Sequence, residues 1–110
     1  VKQVFYDQSK VTNEMVNRYY DLFHREGNKE AFVRLANSNF TQNTDNLKHL
    51  NLPVLVIWGK KDNWLSVTHA DKFENDLKFC TKIIYDNVGH VPMEEVPEQS
   101  AKDILSFLMN

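Results

Sequence analysis

A short, wholly apolar stretch constrains the fold of this chain more than any other feature of the sequence. Residues 54–58, Val-Leu-Val-Ile-Trp, follow Pro53 and end at Gly59. A strand with one face in water alternates apolar and polar residues, whereas a strand covered on both faces is apolar throughout. The run is also far shorter than the roughly 20 residues needed to cross a bilayer. It therefore predicts a strand in the interior of a parallel sheet.

The residues after this run complete a strand–helix–strand unit. The apolar spacing predicts a helix at about residues 67–78 and a second, β-branched strand over residues 82–85. Three side chains of that helix are expected inward: Ala70, Phe73 and Leu77. A last helix is expected to start at Pro97, because proline favours the first helical turn. It presents a row of apolar residues: Ala101, Ile104, Leu105 and Leu108. The alternation of strands and helices predicts an α/β fold with a right-handed crossover.

The first half of the sequence has a helical pattern instead. Residues 12–26 predict an amphipathic helix capped by Thr12, and residues 29–37 predict a shorter helix, capped by Asn28, that packs back on the first. The polar stretch that follows is rich in turn-forming residues and leads into a short helix near residues 43–50. We place the boundary between two segments, residues 1–41 and residues 42–110, in this stretch.

Composition narrows the classes of function. The 110 residues are 42% hydrophobic and carry 13 Lys and Arg against 15 Asp and Glu, for a net charge of −2. No strongly basic stretch is present, so nucleic acid is not an expected partner, and neither is a membrane. Cys80 is the only cysteine, which excludes an internal disulfide and favours a reducing, cytoplasmic location. His24, His49 and His69 lack metal-ligand spacing, so no metal site is expected.

Polar residues follow both predicted strands at the point where each strand ends. Asp62 lies in the loop after the first strand, and His90 lies in the loop after the second, 28 residues further along. Functional groups of open parallel sheets collect beyond the carboxyl ends of the strands. We therefore expect the Asp62 carboxylate within about 2.6–3.2 Å of the His90 imidazole. An acid that orients a histidine is one half of a general-base system.

Each of these residues also has a structural interpretation. His90 could stabilise the turn after Gly89, and Asp62 could cap the helix that follows it. Asp86 also ends a strand and is a rival for the role of the acid. Three neighbouring side chains could line a substrate pocket or simply pack in the core: Trp64, Leu65 and Val91.

Two stretches of the sequence resemble the α/β-hydrolase family. They are Leu52–Asp62, LPVLVIWGKKD, and Val88–Glu94, VGHVPME, and the pair Pro97–Glu98 follows them. The order of acid before histidine also matches the family order of Ser, Asp or Glu, and His. The resemblance implies that Asp62 is the triad acid and that His90 is the triad histidine. It implies no metal and no organic cofactor.

The resemblance assigns the two segments of the chain to different parts of that fold. Residues 42–110 closely resemble the C-terminal part of the hydrolase core, and residues 1–41 more loosely resemble the helical cap that many members insert above the active site. Only three glycines are present, and they form no Gly-x-Ser-x-Gly nucleophile motif. The first residue is Val rather than Met, so we expect the numbering to begin inside a longer chain. Its missing N-terminal part, or a second copy of this chain, is an expected partner.

The family implies a parent enzyme that hydrolyses small, largely apolar esters, amides or carbon–carbon bonded ketones. The chain alone is expected to be inactive, because the nucleophilic serine lies outside it. The alternative is a non-enzymatic binding or interaction domain on the same fold, because a fold does not determine a function.

Overall fold

A parallel pair of strands organises the chain. In a computed structural model, which describes residues 2–39 and 44–110, strand β1 spans Val54–Gly59 and strand β2 spans Cys80–Tyr85. The strands pair in parallel from Val54 with Cys80 to Gly59 with Tyr85. The apolar run thus forms the predicted strand, and β2 begins two residues before its predicted start. Because the strands run side by side in register, both of their C-terminal loops lie at the same end of the sheet.

Helix α3, Thr68–Asp76, connects the two strands and covers one face of the sheet. Ala70 and Leu77 pack with Val56 in the buried core, as expected, whereas Phe73 remains 38% exposed beside the Trp58 ring. A 3-10 helix, Thr44–His49, adds Leu47 to the same cluster. This layer packs against the two strands whose C-terminal ends carry the two loops.

Helices α1, Asn13–His24, and α2, Asn28–Ala36, form the predicted N-terminal pair. Thr12 caps α1 by accepting the N–H of Met15 at 3.1 Å. The cap of α2 is Gly27 rather than Asn28, because the chain turns there with a φ of +80°, which favours glycine. The Phe23 and Phe32 rings meet edge to face, with centroids 6.1 Å apart, and join the two helices. The predicted boundary at residues 41 and 42 lies outside the described residues.

The chain ends in two helices, α4, Pro92–Glu95, and α5, Pro97–Leu108. The Tyr85 hydroxyl donates to the Asp103 carboxylate at 2.6 Å and ties α5 to the end of β2. The apolar row of α5 is exposed, from 38% at Ile104 to 70% at Leu108. Within residues 2–39 and 44–110, the two-stranded sheet is too narrow to cover that row. In the same ranges, no helix combines the length and apolar character that a membrane span requires.

Candidate active site

The loops that follow β1 and β2 are in close backbone contact. The Lys60 N–H donates to the Tyr85 carbonyl and the Lys61 N–H to the Val88 carbonyl, both at 2.9 Å. A Cβ atom on Gly59 would lie only 2.0 Å from the Gly89 carbonyl oxygen. Glycine is therefore required where β1 ends, because a side chain would push the loop after β2 away. The close approach brings the predicted acid and the predicted histidine to the same place.

Asp62 and His90 form a hydrogen bond across the two loops. The Nδ1 atom of His90 lies 2.8 Å from the Oδ2 atom of Asp62, inside the range expected from the sequence. The Asp62 side chain is only 3% exposed, whereas that of His90 is 29% exposed. A carboxylate only accepts hydrogen bonds, so the bond requires the proton on Nδ1 and leaves Nε2 of the neutral ring as an acceptor. The pair thus presents a basic nitrogen with a fixed tautomer.

The second carboxylate oxygen of Asp62 organises its own loop. Oδ1 accepts the backbone N–H groups of Trp64 at 2.8 Å and Leu65 at 3.0 Å. The Trp58 indole N–H donates to the Leu65 carbonyl at 3.2 Å and holds the far end of this loop. Asp62 therefore stabilises a turn, but it does not cap helix α3, which begins only at Thr68.

Opposing effects act on the pKa of Asp62. Burial raises it, because a low-dielectric surrounding disfavours the charged form. The hydrogen bonds from the Leu65 N–H, His90 and the Trp64 N–H act together in the other direction. The net result is a pKa below the usual value of an aspartate. Asp62 is consequently held as a carboxylate next to His90.

The rival acid, Asp86, pairs with a lysine rather than with the histidine. Its carboxylate accepts a hydrogen bond from Lys60 Nζ at 2.8 Å, and its side chain is 74% exposed. That hydrogen bond, followed by the positive charge of Lys60, lowers the pKa of Asp86. Its environment is that of a surface ion pair, so the geometry favours Asp62 over Asp86 as the partner of His90.

A cavity of about 170 Å³ opens beside the pair. Asp62 and His90 contribute its polar wall, and apolar side chains form much of the remainder: Ile57, Leu65, Met93 and Ile104. Of the three predicted pocket residues, Leu65 lines this cavity, whereas Trp64 and Val91 do not. The Trp64 ring instead lies against the imidazole, with centroids 5.3 Å apart, and is 59% exposed. The part of the chain that the structure describes has no cluster of three or more His, Cys, Asp or Glu residues suited to a metal ion.

Two contacts of the histidine loop were not predicted from the sequence. The His90 N–H donates to the Val4 carbonyl at 2.7 Å, and the Gly89 N–H donates to the Glu95 carboxylate at 2.8 Å. The first joins residues 86 positions apart along the chain, so no local periodicity could indicate it. The second has only a weak signal in the sequence, an acid in the turn after the histidine.

Comparison with known proteins gives the family that the sequence resemblance implies. No protein-family model matches the chain. Human monoacylglycerol lipase ABHD6 is 33% identical over 86 residues, which cover 78% of this chain and 25% of the lipase. The uncharacterized hydrolase YugF of Bacillus subtilis is 27% identical over 106 residues, which cover 96% of this chain and 39% of YugF.

A solved structure has the same fold over nearly the whole chain. The serine hydrolase CarC, which is involved in carbazole degradation, matches with a TM-score of 0.85 and 29% identity over 98% of this chain and 44% of CarC. The chain thus spans about a quarter of the human relative and less than half of CarC. The parallel strands, the sequence relatives and the structural match agree: the chain belongs to the α/β-hydrolase fold family and forms a C-terminal portion of that fold.

Proposed function

We propose that this chain supplies the acid and the base of a serine hydrolase. The observation that carries the proposal is the 2.8 Å bond between Asp62 Oδ2 and His90 Nδ1, with Asp62 Oδ1 fixed by two backbone N–H groups. The relatives named above as lipase and hydrolases support it. The sequence has no Gly-x-Ser-x-Gly motif, so the nucleophilic serine belongs to another part of a longer protein.

In this proposal, His90 transfers protons and Asp62 orients it. The Nε2 atom accepts the proton of the serine hydroxyl as the serine oxygen attacks the substrate carbonyl, and the imidazolium then donates that proton to the leaving group. Asp62 keeps the proton on Nδ1 in the neutral ring and stabilises the charged ring that forms during the reaction. Its low pKa fits this role, because a protonated Asp62 would lose the charge that stabilises the imidazolium.

The cavity supports a proposal for the class of substrate. Small-molecule sites combine apolar walls with a few polar groups, and the cavity beside His90 has this composition. We propose small, largely apolar esters, amides or carbon–carbon bonded ketones as substrates. In this proposal, residues 1–41 act as part of a cap above the site. Residues 42–110 belong to the hydrolase core.

We also propose that the exposed apolar residues of α5 are covered by the rest of a hydrolase sheet in the longer protein. They include Leu105, 56% exposed, and Leu108, 70% exposed. The relatives are two to four times longer than the part of them that this chain matches, which leaves room for such a partner segment. A second copy of this chain is the competing occupant.

The test is steady-state hydrolysis of short activated esters by the full-length protein. His90→Ala should lower kcat by at least about 10³-fold, because it removes the base, while KM changes little. Asp86→Asn is the control: Asp86 also follows β2, and its replacement leaves Asp62 and His90 in place. Equal activity of the His90→Ala variant and the unaltered protein would refute the proposal and favour a binding domain.

A further inference from the structure

Glu95 is a buried carboxylate that the proposed chemistry does not use. The residue is 2% exposed and lies at the end of α4. Its carboxylate accepts three backbone N–H groups, from Gly89 at 2.8 Å, Tyr6 at 3.2 Å and Asp7 at 2.8 Å. A carboxylate is costly to bury unless hydrogen bonds compensate it, and bonds to a charged acceptor are the strong ones. The Glu95 carboxylate therefore joins backbone segments that are far apart in the sequence.

One of the groups that Glu95 binds is the N–H of Gly89, which immediately precedes His90. A Cβ atom on Gly89 would lie 2.5 Å from the Val4 carbonyl oxygen and 2.7 Å from the Tyr6 nitrogen. The His90 N–H donates to that same Val4 carbonyl at 2.7 Å. The histidine loop is therefore packed between Gly59 on one side and residues 4–6 on the other. Glu95 joins this loop to residues 6 and 7 through one side chain.

The neighbouring acid, Glu94, shows that the arrangement is specific to Glu95. Glu94 accepts hydrogen bonds from Arg18 at 2.8 Å and from the Tyr19 hydroxyl at 2.7 Å, so it too contacts the N-terminal half. Its side chain is 22% exposed and its partner Arg18 is 56% exposed, and ion pairs that open to solvent are weak. None of these contacts reaches the loop that carries His90.

We propose that Glu95 is a positioning residue. It fixes the backbone of Gly89 against residues 6 and 7, and this fixes the direction from which His90 Nδ1 meets Asp62 Oδ2. The kinetic part of the inference rests on the function proposed above, whereas the alignment of the imidazole does not depend on any activity.

Glu95→Gln is the sharpest substitution, because it keeps the size of the side chain. All three partners of Glu95 donate, and the amide replaces one accepting oxygen by a donating NH2 group. In either orientation of the amide, at least one backbone N–H faces another donor. Glu94→Gln is the matched control, since it removes a charge from the same turn without touching Gly89.

The measurement is the proton resonance of His90 Nδ1 in the full-length protein, together with steady-state kinetics. In the unaltered protein and in Glu94→Gln, a low-field resonance should report the bond to Asp62. In Glu95→Gln it should broaden or disappear, and kcat should fall roughly 10- to 100-fold with little change in KM, because a small misplacement of a catalytic group is costly.

A folded Glu95→Gln protein with an unchanged His90 resonance and an unchanged kcat would overturn the inference. The unaltered full-length protein could instead lack hydrolytic activity while Glu95→Gln still loses the His90 resonance. That result would support the positioning role and count against the proposed function. If Glu95→Gln does not fold, amide hydrogen exchange of the unaltered protein decides. Equal slow exchange at Tyr6, Asp7 and Gly89 supports one locked unit, and faster exchange at Gly89 than at the other two contradicts it.

Discussion

Replacing Asp62 by asparagine tests the role of its charge with almost no change of shape. Oδ1 of Asp62 accepts two backbone N–H groups, whereas Oδ2 faces only His90. The amide oxygen of an Asp62→Asn variant should therefore occupy the Oδ1 position, because an NH2 group there would face two donors. This orientation points the NH2 group at His90 Nδ1.

The consequence is the wrong tautomer of the histidine. An NH2 group donates to Nδ1, so the proton of the neutral ring moves to Nε2, the atom that must accept the proton of the serine. In triads of this type, the corresponding change costs about 10⁴-fold in kcat, or roughly 5 kcal/mol of transition-state stabilisation at 1.36 kcal/mol per factor of ten. The turn formed by residues 62–65 should persist, because its two N–H groups keep an acceptor.

The assay combines kcat for a short activated ester with the nitrogen resonances of His90 in the full-length protein. We expect a fall in kcat of about 10⁴-fold, a nearly unchanged KM and a neutral ring protonated at Nε2. Asp86→Asn, the exposed acid paired with Lys60, is the control and should leave all three unchanged. An Asp62→Asn protein with Nδ1 still protonated, or with kcat within tenfold of the unaltered protein, would refute this reasoning.

Three further predictions concern the stability of the full-length protein, the pH dependence of that stability and the behaviour of the 110-residue chain alone. Gly89→Ala should lower the free energy of unfolding by about 1–3 kcal/mol or more, because the new Cβ would lie 2.5 Å from the Val4 carbonyl oxygen. Chemical denaturation measures this loss, and an unchanged denaturation midpoint would contradict the close approach. The folded-state pKa of Asp62 lies below that of an aspartate in the unfolded chain, so its contribution to stability is present above the unfolded-state pKa and is lost as the pH falls through the folded-state pKa. The difference in stability between the unaltered protein and Asp62→Asn should accordingly shrink towards low pH, and a constant difference would count against the pKa shift. The 110-residue chain alone should aggregate or self-associate through its exposed apolar residues, and a monomer with a sharp two-state thermal transition would disprove this. The same chain should show no esterase activity above background.

Local sequence signals were sufficient for the strand–helix–strand unit. The run before Gly59 is apolar at every position, and Thr12 is a strong helix cap, so β1 and the start of α1 lie where the sequence predicts them. The Asp62–His90 contact was also predictable, because parallel strands bring their C-terminal loops to one end of the sheet. The catalytic roles of both residues and the cytoplasmic location remain predictions.

Long-range packing was not predictable from the sequence. Residues 4–7 show no periodicity that links them to His90, and Glu95 has the sequence appearance of an ordinary surface acid after a short turn. Its burial arises only because backbone N–H groups from both ends of the chain converge on it. The exposed row on α5 has the opposite cause: the apolar pattern is clear, but the residues that the structure describes do not cover it.

The most direct test of the central claim is the rate at which a fluorophosphonate labels the serine of the full-length protein. Such a reagent reacts with a serine that a base has activated, so the rate reports the function of His90 directly. If Asp62 and His90 form the proposed acid–base pair, the unaltered protein should be labelled rapidly and His90→Ala slower by at least about 10³-fold. Labelling at the same rate in both proteins would contradict the claim and leave His90 a structural residue of its loop.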